Sequence, residues 1–337
     1  MQPVSVTELE AEFQRNIDLL SSSLIRVFSL KFKKEVPNLS DPLLRWLDFR
    51  LRYIDPQPRE IVLSGKFPKR GLPQNAKSAF NKICKLIKTG GDINPYQGRG
   101  LILRNDFSGE RHDARTDLLW ADWGIYHLHL SSEPIPRDQY FSRSADYLAF
   151  CLVAGNMVAF IDVLRHPSKE GFANPALIET VARNWPRYMA QFKLHGISPN
   201  RRHTQEEIHT LRSNGYSPSL TINNTAYMGP GMGITSAATP TKVTLTADRV
   251  RVFARELAGA VQDPSGSFRT EAITALKGPP EFSLVPTAHG LVVYEARSKH
   301  AFRLAESEPY KEPTPMEAFH DLLLPRWACQ ALVASSA

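Results

Sequence analysis

The side chains best suited to proton transfer fall in one stretch, Arg115 to His166. His127 and His129 alternate inside Ile-Tyr-His-Leu-His-Leu, residues 125–130, and Asp162 and His166 stand four apart further on. Histidine exchanges protons near neutral pH. Arginine stabilises negative charge as it develops on a phosphate. His127, His129, Arg143, Asp162 and His166 are therefore the candidate catalytic residues, with Arg115 as a further cation. The chemistry they suit is metal-independent attack of a ribose 2′-hydroxyl on a phosphodiester, which needs a base, an acid and a cation. This reading expects no metal and no cofactor. Two others stay open. His127, His129, Asp162 and His166 have the types and spacing that zinc or iron accepts, which would make a metal-dependent hydrolase. The same histidines, hydrogen-bonded to Asp162, could instead staple two strands together.

These residues need strands to position them. A strand turns its side chains out with a period of two, so His127 and His129 share a face with Ile125. Tyr147–Ala154 and Met157–Arg165 are apolar, β-branched or aromatic runs joined by Gly155-Asn156, the pattern of a hairpin. An unbroken register sets Ala154 opposite Met157, Ala149 opposite Asp162 and Asp146 opposite Arg165. Both faces of the hairpin are mostly apolar, which predicts a covered, central position. A carboxylate at 162 is out of place there without a partner.

This segment resembles an uncharacterised bacterial family whose core reads Asp-Trp-Gly-Ile-x-His-x-His-Leu, then Arg, then Phe-Ile-Asp-Val-x-x-His, then Asn-Trp-Pro. Here these are Asp122–Leu130, Arg143, Phe160–His166 and Asn184–Pro186. The resemblance covers the central third of the chain and brings no established activity. More loosely, strands with scattered His and Arg look like the toxin-type ribonucleases related to RelE. That likeness implies a growth-inhibiting or antiviral effector acting on RNA, with a possible antitoxin or other protein partner.

Charge fits the same direction. The net charge of +7 favours an anionic partner, nucleic acid first. The densest basic stretch is a loop with Lys66, Lys69 and Arg70, followed by a helix with Lys82, Lys85 and Lys88 on one flank. Arg99, Arg104, Arg111 and Arg115 come just downstream, and the set is the candidate phosphate-binding surface, RNA favoured. Each lysine alone reads as an ordinary solvated residue. A non-catalytic nucleic-acid- or protein-binding module is thus the third functional alternative. Cys84, Cys151 and Cys329 follow no metal spacing and read as free thiols. The polar N-terminus and the lack of a long apolar run lead us to expect no signal peptide, no membrane contact and a cytoplasmic protein. There is no Gly-x-Ser-x-Gly elbow, dinucleotide fingerprint or kinase set.

The whole chain reads as α+β. Residues 1–90 form a helical region with the basic patch, 91–199 a central antiparallel sheet with flanking helices, and 200–337 a smaller mixed domain. Helices are expected over 7–34, with a Thr7–Glu10 capping box, from Pro42 to Asp55, over 75–88 closed by Gly90, and over 175–184. Others follow from Thr204, over 247–261 and from Pro315. Short strands are expected at 61–63, 219–222 and 291–295, and 263–280 reads as loop. The Tyr227–Gly233 run, with glycines at 229, 231 and 233, lacks the Gly-Lys-Ser/Thr of a phosphate loop. It reads as an exposed turn able to close over a partner.

Overall fold

The structure, a computed structural model, describes residues 5–32, 41–68, 71–103, 117–166, 172–198, 201–266, 268, 279–304 and 314–336. In chain order the elements begin with α1 (Val6–Val27), α2 (Pro42–Arg52), β1 (Glu60–Leu63), α3 (Gln74–Thr89), α4 (Gly100–Leu103) and α5 (Leu118–Trp123). Next come β2 (Tyr126–His129), β3 (Tyr147–Val153), β4 (Met157–Arg165), α6 (Pro175–Asn184), α7 (Pro186–Ala190) and α8 (Gln205–Ser213). The chain continues with β5 (Leu220–Ile222), β6 (Thr225–Tyr227), α9 (Thr241–Gln262), β7 (Phe282–Thr287), β8 (Gly290–Glu295) and β9 (His300–Arg303). It ends in α10 (Pro315–Leu323) and α11 (Arg326–Ser336). The class is α+β, with N-terminal helices, a central sheet and a C-terminal antiparallel sheet. Among the described residues no helix is long and apolar enough to cross a membrane.

The chain divides into two compact units, residues 52–242 and residues 1–51 with 243–337. The grouping differs from the consecutive segments that periodicity suggests, because α1 packs with elements near the other end of the chain. In that unit the β7 backbone donates from Leu284 to Asn16 on α1 at 2.7 Å. Phe28, Trp46, Phe49 and Trp327 form an aromatic cluster with ring centres 5.3 to 6.1 Å apart. The α1 capping box is Ser5–Glu8 rather than Thr7–Glu10, and the helix stops at Val27, short of the expected 34.

The 52–242 unit is built on a four-stranded sheet in the order β1-β4-β3-β2. It is mixed rather than wholly antiparallel, because β1 adds to β4 in parallel. Its two faces bury different cores. One face carries Leu128, Ala149, Cys151, Phe160 and Val163, covered by Ala76, Ala79, Ile83 and Ile87 of α3. The other carries Ile125, Leu148, Phe150 and Ile161, covered by Leu177, Ile178 and Val181 of α6 and Ile208 of α8. The expected ends of α6 hold: Asn174 caps it, Pro175 opens it and it stops before Trp185. α3 likewise closes on Gly90 with φ 74°, the left-handed turn that glycine makes without strain.

The unbroken hairpin register fails at one place. Cys151 pairs with Phe160, but Phe150 pairs with Asp162, leaving Ile161 as the extra residue of a β-bulge. Asp162 therefore faces Phe150 instead of Ala149, and Arg165 faces Tyr147 instead of Asp146. A one-residue slip moves every following side chain to the other face of a sheet.

Candidate functional site: a histidine group on one face of the sheet

The bulge decides where the histidines meet. His127 pairs with Phe150 and His129 with Leu148, so both project from the α6 face. In the unbroken register Asp162 would align with Ala149 and Leu128, residues of the opposite core. The extra residue instead places Asp162, Leu164 and the following His166 on the histidine face. The His129 and His166 rings lie 5.5 Å apart, and those of His127 and His129 6.0 Å apart. Phe172 packs 5.1 Å from His127 and 6.2 Å from His166, closing one side of the group.

His127 is held by a carboxylate that sequence reasoning missed. Asp117 is the N-cap of α5, its Oδ1 accepting from the backbone N–H groups of Leu119 and Trp120 at 3.0 Å each. Its Oδ2 lies 2.9 Å from His127 Nδ1, with both side chains about 15% exposed or less. Burial opposes ionisation of Asp117, but the facing His127, the Trp120 N–H and nearby Arg52 together hold the carboxyl below its ordinary value. The opposite ring nitrogen of His127 faces Gly98, where a Cβ would stand 3.6 Å from Nε2. Exposed Arg99 follows directly.

His129 differs in kind. Burial first, then the neighbouring His127 and His166 imidazoles, push its pKa down to about 4. Its Nδ1 accepts from the Ala145 N–H at 3.4 Å, which leaves the proton of the neutral ring on Nε2. At neutral pH His129 is thus an uncharged donor between two other imidazoles. His166 is exposed, and its backbone N–H donates to Asp146 O at 2.6 Å.

Other expected members are engaged elsewhere. Arg143 forms an ion pair with Glu133 at 2.8 Å, the side chains 65% and 57% exposed, rather than turning to the imidazoles. Asp162 is half-buried; its Oδ1 accepts from the Val163 N–H at 2.8 Å rather than from an imidazole. Burial raises its pKa, with Lys66 acting in the opposite direction. Among the described residues no group of three His, Cys, Asp or Glu is arranged to hold a metal ion. His127, His129, Asp162 and His166 therefore do not close into the four-ligand set.

Lys82, Lys85 and Lys88 are exposed on α3, the helix covering the opposite face of the sheet from the histidines. Lys82 also sits 5.8 Å over the Tyr96 ring. Lys69, Arg70, Arg104, Arg111 and Arg115 lie outside the described residues.

The glycines of Tyr227–Gly233 are not an exposed turn. Gly229, Gly231 and Gly233 are buried. Gly231 N–H donates to Asp122 O at 2.9 Å, and a Cβ on Gly231 would stand 2.0 Å from Ala121 O. Only glycine allows the loop to lie against the end of α5. Asp122 there is fully buried and accepts from Arg212 Nε at 2.8 Å and from the Ser217 hydroxyl. Arg212 also donates to Phe172 O at 3.3 Å, so this buried pair fixes the ring that packs against His127 and His166. No family model, curated protein or solved structure matches the chain.

Proposed function

We propose that the chain is a metal-independent endoribonuclease of the toxin or antiviral effector type. The observation that carries the reading is the Asp117–His127 pair beside His129 and His166 on one sheet face. A carboxylate on Nδ1 fixes the tautomer and orientation of an imidazole, leaving Nε2 for proton transfer. His127 takes the 2′-hydroxyl proton as the 2′-oxygen attacks phosphorus. His166 protonates the departing 5′-oxygen, giving a 2′,3′-cyclic phosphate and a 5′-hydroxyl. Neutral His129 donates from Nε2 to a phosphate oxygen, and Arg99, next to Gly98, supplies charge. The base and acid are His127 and His166, and not His129, because a group titrating near 4 takes up a proton poorly at neutral pH. The effector role rests on the resemblance to toxin-type ribonucleases.

The test is incubation of purified protein with total RNA, with and without a chelator. Cleavage that survives the chelator is expected, with His127→Ala lowering the rate by about 10²–10⁴-fold while circular dichroism stays native. Absence of cleavage by the folded wild type sinks the proposal. One observation favours a second reading. The α3 lysines lie across the sheet from the histidines, which suits a nucleic-acid-binding module whose histidines are structural. RNA binding without cleavage selects it.

A further inference from the structure

The 52–242 unit also contains a cavity of about 310 Å³ that the histidine chemistry does not use. Its walls include Trp120, Tyr126, Trp185 and Tyr188, with the tip of the β3–β4 hairpin and the Gly231 backbone completing the lining. The Lys242 ammonium lies in the same wall, 3.3 Å from the centre of the Trp120 ring. Trp120 itself is 2% exposed, and its indole N–H has no hydrogen-bond partner among the described residues. The volume is in the range of small-molecule sites, which are mostly apolar with a few placed polar groups.

We infer that this cavity binds a planar aromatic molecule carrying one anionic group. Aromatic walls accept a flat ring through stacked or edge contacts. A cation within a mostly apolar lining selects against a second positive charge and for an anion, in a medium where charge–charge attraction is stronger than in water. Two sources offer this chemistry, a nucleoside monophosphate and a free aromatic carboxylate. The site stands independently of the ribonuclease reading: its ligand is small, and none of the histidines lines it.

The experiment is calorimetric titration and saturation-transfer NMR of the intact chain with AMP, indole-3-carboxylate and uncharged adenosine. Saturable binding of either anion, tighter than adenosine, is expected. AMP alone identifies the nucleotide source and indole-3-carboxylate alone the carboxylate source. Lys242→Gln should weaken the anion by about ten- to a hundredfold, the worth of a charge-assisted contact, and leave adenosine unchanged. Ala154→Trp, at an exposed position on the cavity rim, should weaken every ligand, so the outcome does not depend on one variant folding. The inference is overturned if neither anion binds at millimolar concentration. It is equally overturned if Lys242→Gln affects AMP and adenosine alike, or if binding survives Ala154→Trp unchanged.

Discussion

Two carboxylates at the two ends of one short helix are treated in opposite ways. The Asp122 carboxylate, inside the last turn of α5, is sealed against the Arg212 guanidinium and the Ser217 hydroxyl, while the Asp122 backbone carbonyl accepts from the Gly231 N–H. Asp117, at the N-cap, divides its oxygens between the helix backbone and an imidazole, in a place water still reaches. Arginine is a fixed cation at physiological pH, and the buried contacts of the Asp122 pair serve to fix geometry. The Asp117 pair instead sets the carboxylate against an imidazole, the side-chain type suited to proton exchange near neutral pH. The same side chain is thus locked against a guanidinium or set against an imidazole according to which partner the fold places beside it.

Removing one partner tests the sealed pair most severely. Arg212→Met should leave Asp122 buried without its counter-charge, at a cost of about 3–5 kcal/mol, read as a fall in the urea midpoint of the 52–242 unit. Asp117→Asn should cost far less, since the amide oxygen still caps α5, while RNA cleavage drops with the fold intact. Equal destabilisation by the two would erase the distinction.

The next effect is set by pH. His129 titrates near 4 when folded and near 6.5 when unfolded. Between those values the unfolded chain binds the proton more readily, so stability rises with pH. Its contribution, on the order of 3 kcal/mol, is complete above about pH 6.5 and lost as pH falls toward 4. Melting temperature followed over that window should show the slope in wild type and a flatter one in His129→Leu. Asp117 has the depressed carboxylate sign, so its contribution fades only at lower pH still, below the ordinary carboxylate value.

Glycines sharpen the contrast further. Gly231→Ala puts a Cβ 2.0 Å from the Ala121 carbonyl, an overpacking that costs about 1–3 kcal/mol in equilibrium unfolding. Gly98→Ala meets His127 Nε2 at an ordinary 3.6 Å and should leave stability within about 0.5 kcal/mol. Gly98→Val should leave the fold in place while crowding Nε2, and slow cleavage.

Much of this arrangement is legible in the residues. The two strands of the β3–β4 hairpin, the parity of His127 with His129 and the ends of α3 and α6 follow from period, turn and cap. The bulge does not, because Ile161 and Asp162 carry no glycine to mark it; only the demand of two different cores for β4 side chains creates it. Asp117 had a readable signal, an Asp directly before the apolar Leu-Leu-Trp run, as an N-cap should be. Arg212 had a fainter one, four residues after buried Ile208 and so on the same face of α8. The Pro286 within β7 hid that strand, since proline argues against a sheet interior. The mixed character of the sheet escapes local pattern altogether, as β1 and β4 are nearly a hundred positions apart.

The smallest effect concerns the lysines of α3. Each is exposed, and the helix covers the face of the sheet that the histidines do not share. Under the proposed function, a cation on that face attracts the polyanion without acting on the phosphate cleaved beside His127. Replacing Lys82, Lys85 and Lys88 by Gln should therefore weaken RNA binding about equally for all sequences. The slope of log affinity against log salt should flatten by about 0.7 for each single-strand phosphate that is no longer neutralised. The rate at saturating RNA should stay unchanged. A fall in that saturated rate would mean that the lysines act on the reacting phosphate, and the separation of binding surface from proton-transfer site would have to be given up.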